Sequence, residues 1–298
     1  MVPPAVSPAF IELESPFETF QGTVRLLEPA DSDRDALRER LKAGRYDKPF
    51  VIDDGETRTL HFCDAFVQSE MRLADPFALE VEYTRTIMGF LLLAHDPRAI
   101  LLLGLGGGSL AKFCHRHLPG ARITAVEVDP HVLAFRGQFL VPPEDERFRV
   151  VQADAGEYVR RARERADVIV MDAFDRHGYA SSIGSADFYA AARHALSPRG
   201  VMVANLVGER RERVAHLERM RSSFSDNILV VPVQDDGNHV AFAFRDPAFE
   251  PRWRWMHREA PALGRRYGLD FPRLAGQLER SRKLGYLQRV MEHGAAGP

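Results

Sequence analysis

The sequence predicts an α/β protein, in which a small antiparallel β module precedes a parallel sheet with helices on both faces. Two observations predict this fold. From residue 99 onward, apolar strand-type runs alternate with helix-type segments, as they do in strand–helix–strand units. Before residue 70, short alternating runs flank turn residues, as they do in hairpins. We therefore expect three parts: the β module at 1–70, the sheet domain at 71–248 and a basic helical extension at 249–298.

The β module is predicted from short segments. Partial alternation within residues 10–29 favours one or two strands, and the charged residues 31–48 favour a solvated helix or loop. The clearest signal is Asp54-Gly55, a hairpin-turn dipeptide that separates two alternating segments within residues 50–62. These segments together predict a small antiparallel sheet.

Residues 99–110 are the stretch around which the sheet domain is organised. Ala99–Leu103 is apolar and typical of a buried strand, and Leu110–Leu118 has the pattern of a helix. Between them, Gly104 and the run Gly106, Gly107 and Gly108 predict a tight turn. Such a turn leaves unpaired backbone N–H groups and the positive end of a helix dipole beside a space without side chains. A nucleotide-like ligand can lie in that space.

The rest of the sheet domain continues the alternation, with a helical pattern over 75–97 before the glycine turn. After the turn we expect a strand over 122–129, a helix from about Pro130, a strand over 148–152, a helix over 156–163, a strand over 167–171, a long loop, a helix over 186–196, a strand over 201–204, a helix over 209–222 and two closing strands near 228–233 and 240–244. Ligands of parallel sheets bind at the carboxyl ends of the strands. The residues that follow each strand are therefore the candidates for a site.

The first candidates are Glu127 and Asp129, at the end of the strand that follows the glycine turn. Glu127 lies 23 residues after Gly104, and a carboxylate at that spacing can accept the hydroxyls of a ribose. The alternative is that Glu127 only completes the strand end. The same spacing suits NAD or an S-adenosyl nucleoside, so the turn leaves the ligand open.

Five carboxylates lie at or just after the ends of predicted strands: Glu127, Asp129, Asp154, Asp172 and Asp175. Carboxylates gathered at one edge repel one another unless a cationic or hydrogen-bond-donating ligand lies among them. Each can also be a helix N-cap, and this alternative is strongest for Asp154, which precedes Ala155-Gly156. We expect a site for a positively charged ligand at this edge.

Composition restricts the function classes. The 298 residues are 45% hydrophobic and 28% charged with a net charge of −2, which is ordinary for a soluble enzyme and predicts no overall attraction to nucleic acid or membrane. The two cysteines, Cys63 and Cys114, have no CxxC partner, so we expect no disulfide framework and no zinc site or other metal. The first residues lack a signal peptide pattern, and we expect a cytoplasmic protein. The arginine- and tryptophan-rich tail favours a helical extension or packing arm over a nucleic-acid site.

Residues 14–245 resemble the spermidine synthase (polyamine aminopropyltransferase) family. The loop from Asp172 to Ala180, with Asp175 within it and Phe188-Tyr189 beyond it, is similar without a gap to that family's acidic loop. Further similar positions are Gln21, Gln68, Tyr83, the glycine turn, Glu127 with Asp129, and Asp154.

The resemblance implies a Rossmann-like sheet of the S-adenosylmethionine-dependent methyltransferase type, a homodimer and roles for individual residues. Asp172 would orient the acceptor amine and take its proton, and Asp175 would hold the acceptor's other ammonium. Tyr83 and Gln234 would contact the acceptor. The remaining residues would bind decarboxylated S-adenosylmethionine or S-adenosylmethionine as co-substrate: Gln21, Gln68, Gly104, Gly106, Gly107, Gly108, Ser109, Glu127, Val128, Asp129, Asp154 and Ala155.

The sequence departs from the family at the acceptor half of the site. Ser109 stands where the family has an Asp that binds the amino group of the donor's aminopropyl chain. Arg176 and Tyr179 replace two prolines of the acidic loop, and Gln234–Gly237 replaces a segment that supplies a second tyrosine. Contacts to the donor nucleoside are retained better than contacts to the amine.

Four functions remain open from the sequence. The first is transfer of an aminopropyl group to a di- or polyamine such as putrescine. The second is methyl transfer from S-adenosylmethionine, which the neutral Ser109 favours because an Asp there would repel the donor's carboxylate. The third is a non-catalytic binding module. An NAD-dependent dehydrogenase is the weakest, because hydride transfer does not require the acidic loop.

Overall fold

A computed structural model describes residues 10–64, 67–175, 178–180, 182–233, 237–283 and 285. The N-terminal module is a five-stranded antiparallel sheet in which neighbours along the chain are neighbours in space. Its strands are β1 (Ile11–Glu14), β2 (Thr23–Leu26), β3 (Phe50–Asp53), β4 (Thr57–His61) and β5 (Val67–Arg72), and α1 (Arg34–Lys42) lies between β2 and β3.

The predicted hairpin at Asp54-Gly55 is confirmed, since it joins β3 to β4. The Asp54 carboxylate accepts the backbone N–H groups of Glu56 at 2.8 Å and Thr57 at 2.6 Å, which explains why Asp is suited to this position. The charged segment after β2 forms the helix α1, whose N-cap is Asp33. Residues 10–29 contain two strands, β1 and β2, where one or two were predicted.

The sheet domain follows the predicted alternation. Its helices are α2 (Glu82–Ile87), continued by a 3-10 turn (Met88–Leu92), α3 (Ser109–His117), α4 (Pro130–Phe135), α5 (Ala155–Arg161), α6 (Ala186–Ala195) and α7 (Arg210–Ser223). Its strands are β6 (Ala99–Leu103), β7 (Arg122–Glu127), β8 (Phe148–Gln152), β9 (Ala166–Met171), β12 (Leu196–Leu206), β13 (Ile228–Pro232) and β14 (His239–Phe244). Two short strands, β10 (Phe174–Asp175) and β11 (Gly178–Tyr179), pair within the acidic loop.

The large sheet has the strand order β13-β14-β12-β9-β6-β7-β8. The five strands from β12 to β8 are parallel, as expected, whereas β14 is antiparallel to both of its neighbours. The expectation of a wholly parallel sheet was therefore wrong at this edge. Only a short connection separates β13 from β14, which is enough for a hairpin but too short for the crossover that parallel strands require.

The C-terminal segment contains α8 (Trp253–Tyr267) and α9 (Phe271–Lys283). Met256, Phe271 and Leu278 are almost fully buried and belong to the same apolar core as β6 and the 3-10 turn. The backbone N–H of Val230 in β13 also donates to the Ser281 hydroxyl at 3.0 Å. Of the two forms left open for this segment, the structure shows the packing arm. Within the described ranges, no helix is both long and apolar enough to cross a membrane.

Candidate functional site

A cavity of about 110 Å³ lies at the carboxyl ends of β6, β7, β8 and β9. It is lined by three of the predicted carboxylates, Glu127, Asp154 and Asp172, which come from three different strand ends. The rest of its wall is mostly small or apolar, with Gln68, Ser69, Tyr83, Gly104, Gly106, Val128, Ala155 and Phe174 among its members. The prediction that the carboxylates converge is confirmed for these three residues.

Gly104 directly follows β6 and begins the turn beside the cavity. Its φ is +98°, and an added Cβ would lie 2.1 Å from the carbonyl oxygen of Asp172. The backbone here is held by the N–H of Asp172, which donates to Leu103, and by the N–H of Gly104, which donates to Val126. A glycine is therefore required at position 104, because any side chain would displace Asp172.

The Glu127 carboxylate accepts hydrogen bonds from the backbone of the glycine turn. One of its oxygens accepts the N–H of Leu105 at 3.0 Å and a longer bond from Gly106 at 3.5 Å, and the other accepts the N–H of Asp129 at 3.0 Å. A carboxylate has about four acceptor positions, so these bonds leave capacity for a hydroxyl of the ligand. The backbone N–H groups therefore orient the Glu127 carboxylate and leave it able to accept a further hydrogen bond.

Asp129 and Asp154 both cap helices, but only Asp154 also lines the cavity. Asp154 accepts the N–H of Glu157 at 2.8 Å at the start of α5 and stands in the cavity wall. Asp129 accepts the N–H of His131 at 2.7 Å at the start of α4 and also contacts the His131 ring at 3.0 Å. Asp129 is therefore turned toward α4. Val128 also lines the cavity, and this residue is 55% exposed.

Asp172 lines the cavity and directly follows β9. One carboxylate oxygen accepts the Asn205 amide at 2.9 Å and the other accepts the Tyr83 hydroxyl at 3.3 Å. Burial raises the pKa of Asp172 to about 6, although both hydrogen bonds act in the opposite direction. A carboxyl group with such a pKa exchanges a proton near neutral pH, as a general base must.

The loop after Asp172 is fixed by an aromatic cluster. The Tyr179 hydroxyl accepts the N–H of Val207 at 2.6 Å and donates to the Val207 carbonyl at 3.1 Å, and the Tyr179 ring lies 4.1 Å from the ring of His216. Tyr189 is fully buried and its hydroxyl contacts His216 at 2.8 Å. Tyr179, which replaces a family proline, therefore attaches the loop to the end of β12.

Other predicted residues lie apart from the main cavity. Gln21 is exposed, and its side-chain amide donates to the carbonyls of Phe17 and Glu18 at 3.0 Å. Gly107 donates its N–H to the Ser69 hydroxyl at 2.9 Å, and Gly108 is the N-cap of α3. Ser109 lines a smaller adjoining cavity. Gln234, Arg176 and the side chain of Asp175 lie outside the described residues.

Two residues of the site were missed by sequence reasoning. Asn205 holds Asp172 from the end of β12, and Ser69 holds the glycine turn from β5. Asn205 directly follows the predicted strand 201–204, so the strand-end rule that selected the carboxylates could also have selected it. No sequence pattern indicated Ser69, because its hydrogen bond with Gly107 depends on how the N-terminal sheet packs against the glycine turn.

A larger cavity, of about 630 Å³, lies between α3, the segment before α2 and the C-terminal helices. Arg116, His117, Arg266 and Tyr267 form part of its wall. Of the described residues that the sequence nominated for the site, none lines it. The larger cavity is therefore separate from the chemistry at Asp172.

The sequence matches the family model of the spermine/spermidine synthase domain over residues 80–232, which are 153 of the 298 residues. The chain belongs to this family. The polyamine aminopropyltransferase of Chromobacterium violaceum is 35% identical over 232 residues, which cover 78% of this chain and 89% of that protein. The resemblance inferred from the acidic loop and glycine turn is thereby confirmed.

Two solved structures show how widely this family's fold is shared. A spermidine synthase in complex with the transition-state analogue AdoDATO has a TM-score of 0.64 and 17% identity, covering 82% of this chain and 84% of that chain. Human methyltransferase-like protein 13 in complex with SAH has a TM-score of 0.54 and 26% identity, covering 63% of this chain and 93% of that chain. The predicted methyltransferase-type sheet is confirmed, and the fold is compatible with either kind of transferase.

Proposed function

We propose that this member of the spermidine synthase family transfers the aminopropyl group of decarboxylated S-adenosylmethionine to a di- or polyamine. The observation that carries the proposal is Asp172, a carboxyl group that is held by two neutral side chains and lines a cavity with two further carboxylates, Glu127 and Asp154. A cavity lined by carboxylates favours cationic ligands, and both substrates of the proposed reaction are cations.

The reaction needs a base at the position of Asp172. The acceptor nitrogen forms a bond to the propyl carbon, the carbon–sulfur bond breaks, and its electron pair remains on sulfur in the leaving methylthioadenosine. The attacking nitrogen loses one proton, which Asp172 accepts. Because its pKa is raised to about 6, Asp172 binds a proton more strongly than an ordinary carboxylate does, which suits it to act as the base. Tyr83 and Asn205 fix the carboxylate in the orientation required for in-line attack.

The donor's nucleoside is proposed to occupy the outer part of the cavity. Glu127 would accept the ribose hydroxyls, with Val128 and Ala155 against the adenine and Asp154 as acceptor of its amino group. The glycine turn allows the sulfur end to approach the backbone beside Asp172. Gln68 and Tyr83 would close the opposite wall, and Asp175 and Gln234 keep their proposed contacts to the acceptor. For Gln21 and Asp129 the proposal carries less support, since each is bonded elsewhere in the structure.

Methyl transfer from S-adenosylmethionine is the second candidate, and Ser109 favours it. Ser109 lines the smaller cavity next to Asp172 and is neutral, so it would not repel the carboxylate of intact S-adenosylmethionine. The relative with 35% identity is named an aminopropyltransferase, which supports the first candidate more strongly.

The deciding experiment is an assay of the purified protein with each donor in turn. Incubation with decarboxylated S-adenosylmethionine and putrescine, or another di- or polyamine, should release methylthioadenosine and the aminopropylated amine in equal amounts. Absence of methylthioadenosine with every amine tried would reject aminopropyl transfer. Formation of S-adenosylhomocysteine from the intact donor would instead support methyl transfer.

The assembly is proposed from the family resemblance, and the location from the two cysteines without a CxxC partner. We propose a homodimer assembled through the N-terminal sheet, and a cytoplasmic location. Light scattering on the eluted protein tests the first, because a dimer should have twice the 33.6 kDa mass of the chain. Fractionation of the source cells tests the second.

A further inference from the structure

The larger cavity, away from Asp172, has the size of a ligand pocket. Its volume is about 630 Å³, and its walls are the last turns of α3 and α8, the first turns of α9, and residues between 72 and 85, which lead from β5 into α2. Pockets for small organic ligands generally measure about 300–1,000 Å³. The cavity therefore has room for an organic molecule much larger than a single ion.

Most charges of the cavity wall are already paired with one another. The wall carries five arginines and four acids, so its formal charge is +1 with histidine neutral. Arg72 contacts Glu80 at 2.6 Å, and Glu82 contacts both Arg85 at 3.1 Å and Arg273 at 3.3 Å. These ion pairs join the segment before α2 to α2 and α9, and they leave two arginines of the wall to consider.

Arg116 and Arg266 are the two arginines that remain, and each lies against an aromatic ring. The guanidinium carbon of Arg116 is 4.6 Å from the centre of the Phe77 ring, and that of Arg266 is 5.0 Å from the centre of the Tyr267 ring. Both rings line the cavity. Among the residues that the structure describes, no carboxylate forms an ion pair with either guanidinium. Contact with a ring uses none of the guanidinium N–H donors, so these can bind a second partner.

The charges of Arg116 and Arg266 act on the same part of the cavity. His117 lines this part, and its ring centre is 6.0 Å from that of Tyr267. Burial lowers the pKa of His117 below its usual value, and the positive charges of Arg116 and Arg266 lower it further, whereas Asp75 opposes them. Positive charges gathered around one side chain repel one another, and an anion bound among them would relieve that repulsion.

We propose that this cavity binds an organic anion whose phosphate or carboxylate group is held by Arg116 and Arg266. The guanidinium group suits both kinds of anion, because its N–H donors form paired hydrogen bonds with two oxygens at once. The rest of the ligand would lie against apolar parts of the wall such as Phe77 and Leu269. Because the site is separate from Asp172, the inference does not depend on the function proposed above.

The test is calorimetry on the full-length protein with three probes: pyrophosphate, adenosine monophosphate and citrate. At least one probe should bind saturably at low ionic strength, and its binding should weaken as salt is added. Arg116→Gln and Arg266→Gln should each weaken that binding about 3- to 30-fold, between the losses expected for an exposed and for a buried charged contact.

Arg265→Gln is the matched control. Arg265 is exposed next to Arg266 on α8 but does not line the cavity, so the probe's Kd should change less than about 2-fold. A preference for pyrophosphate and adenosine monophosphate over citrate would identify a phosphate as the bound group. The reverse preference would identify a carboxylate.

Three results would overturn the inference. The first is the absence of saturable binding for all three probes at millimolar concentration. The second is an unchanged Kd in the double variant Arg116→Gln/Arg266→Gln, which would leave the two arginines only a structural role. The third is displacement of the probe by methylthioadenosine, which would place the probe in the main cavity with Glu127 and Asp172.

Discussion

Asp53 and Asp172 are both partly buried aspartates at strand ends, but they have opposite surroundings. Asp53, at the end of β3, accepts a hydrogen bond from Arg58 at 2.9 Å and lies 3.3 Å from Arg25. Asp172, at the end of β9, is bonded by the neutral side chains of Tyr83 and Asn205. Burial acts to raise both pKa values. At Asp53 the hydrogen bonds from Arg58 and from the Gly55 N–H, together with the charges of Arg58 and Arg25, outweigh burial, and the pKa is lowered. At Asp172 burial prevails and the pKa rises to about 6.

The difference separates a structural carboxylate from a chemical one. Arg58 also donates to the Gln138 carbonyl and Arg25 donates to the Gln138 side chain, so Asp53 organises a contact between the N-terminal sheet and the sheet domain. Asp53 already has its cations, whereas the positive charge that would complement Asp172 must come from a ligand. Substitution by Asn should therefore mainly reduce stability at Asp53 and mainly reduce activity at Asp172.

The largest effect is expected for Asp172→Asn. Removal of the proposed base should reduce kcat with a polyamine acceptor by roughly 10²- to 10⁴-fold, while the Kd of methylthioadenosine changes only a few-fold. Steady-state assays and calorimetry measure the two quantities. Asp53→Asn is the matched control and should keep most of the activity. Unchanged kcat in Asp172→Asn would exclude Asp172 as the base.

For Asp53→Asn we expect a loss of stability of about 1–3 kcal/mol, because two partly buried arginines lose a charged partner. The lowered pKa of Asp53 means that its contribution is present at neutral pH and is lost as the pH falls through that folded-state value. Urea denaturation of both proteins should therefore show a difference at pH 7 that narrows in acid. A difference that stays the same at every pH would contradict the ion-pair explanation.

The pH profile of the wild-type enzyme should separate the two aspartates further. Asp172 accepts a proton only when ionised, so kcat/KM should rise with pH through a value near 6, the pKa of Asp172. The measurement is kcat/KM from pH 5 to 8 at constant ionic strength. The rise of kcat/KM with pH should persist in Asp53→Asn. Its disappearance in that variant would contradict its assignment to Asp172.

The smallest effect is expected for Tyr83→Phe. The Tyr83 hydroxyl stabilises the ionised form of Asp172, so its removal should raise the pKa and move the rising limb to higher pH. Activity should therefore fall more at pH 6 than at pH 8, by a few-fold as expected for one hydrogen bond. Tyr46→Phe, in the N-terminal module, provides the same substitution away from the site. A shift to lower pH would contradict the role given to Tyr83.

Local patterns predicted much of the fold and part of the site. The hairpin at Asp54-Gly55 and the glycine turn after β6 were predictable because turn chemistry depends on adjacent residues. Glu127, Asp154 and Asp172 were predictable because the ends of parallel strands meet at one edge. The antiparallel direction of β14 was not anticipated, since strand-type runs carry no sign of direction.

The partners of Asp172 depend on contacts distant in the chain. Tyr83 precedes it by 89 residues and Asn205 follows it by 33. No local pattern indicates that these groups meet at one carboxylate, nor that Glu70 of the N-terminal module lines a cavity in the sheet domain. The resemblance to the spermidine synthases named Tyr83 as a candidate but did not supply its bond to Asp172.

The amino-acid sequence alone determined the family, the alternation of strands and helices, and the strand ends that carry acids, because each is written in neighbouring residues. Only the tertiary structure decided which acid is neutralised by arginines and which is held by neutral groups. The physical reason is that a carboxylate's proton affinity depends on burial and on charges brought from distant segments. The same residue type is therefore structural at Asp53 and suited to chemistry at Asp172.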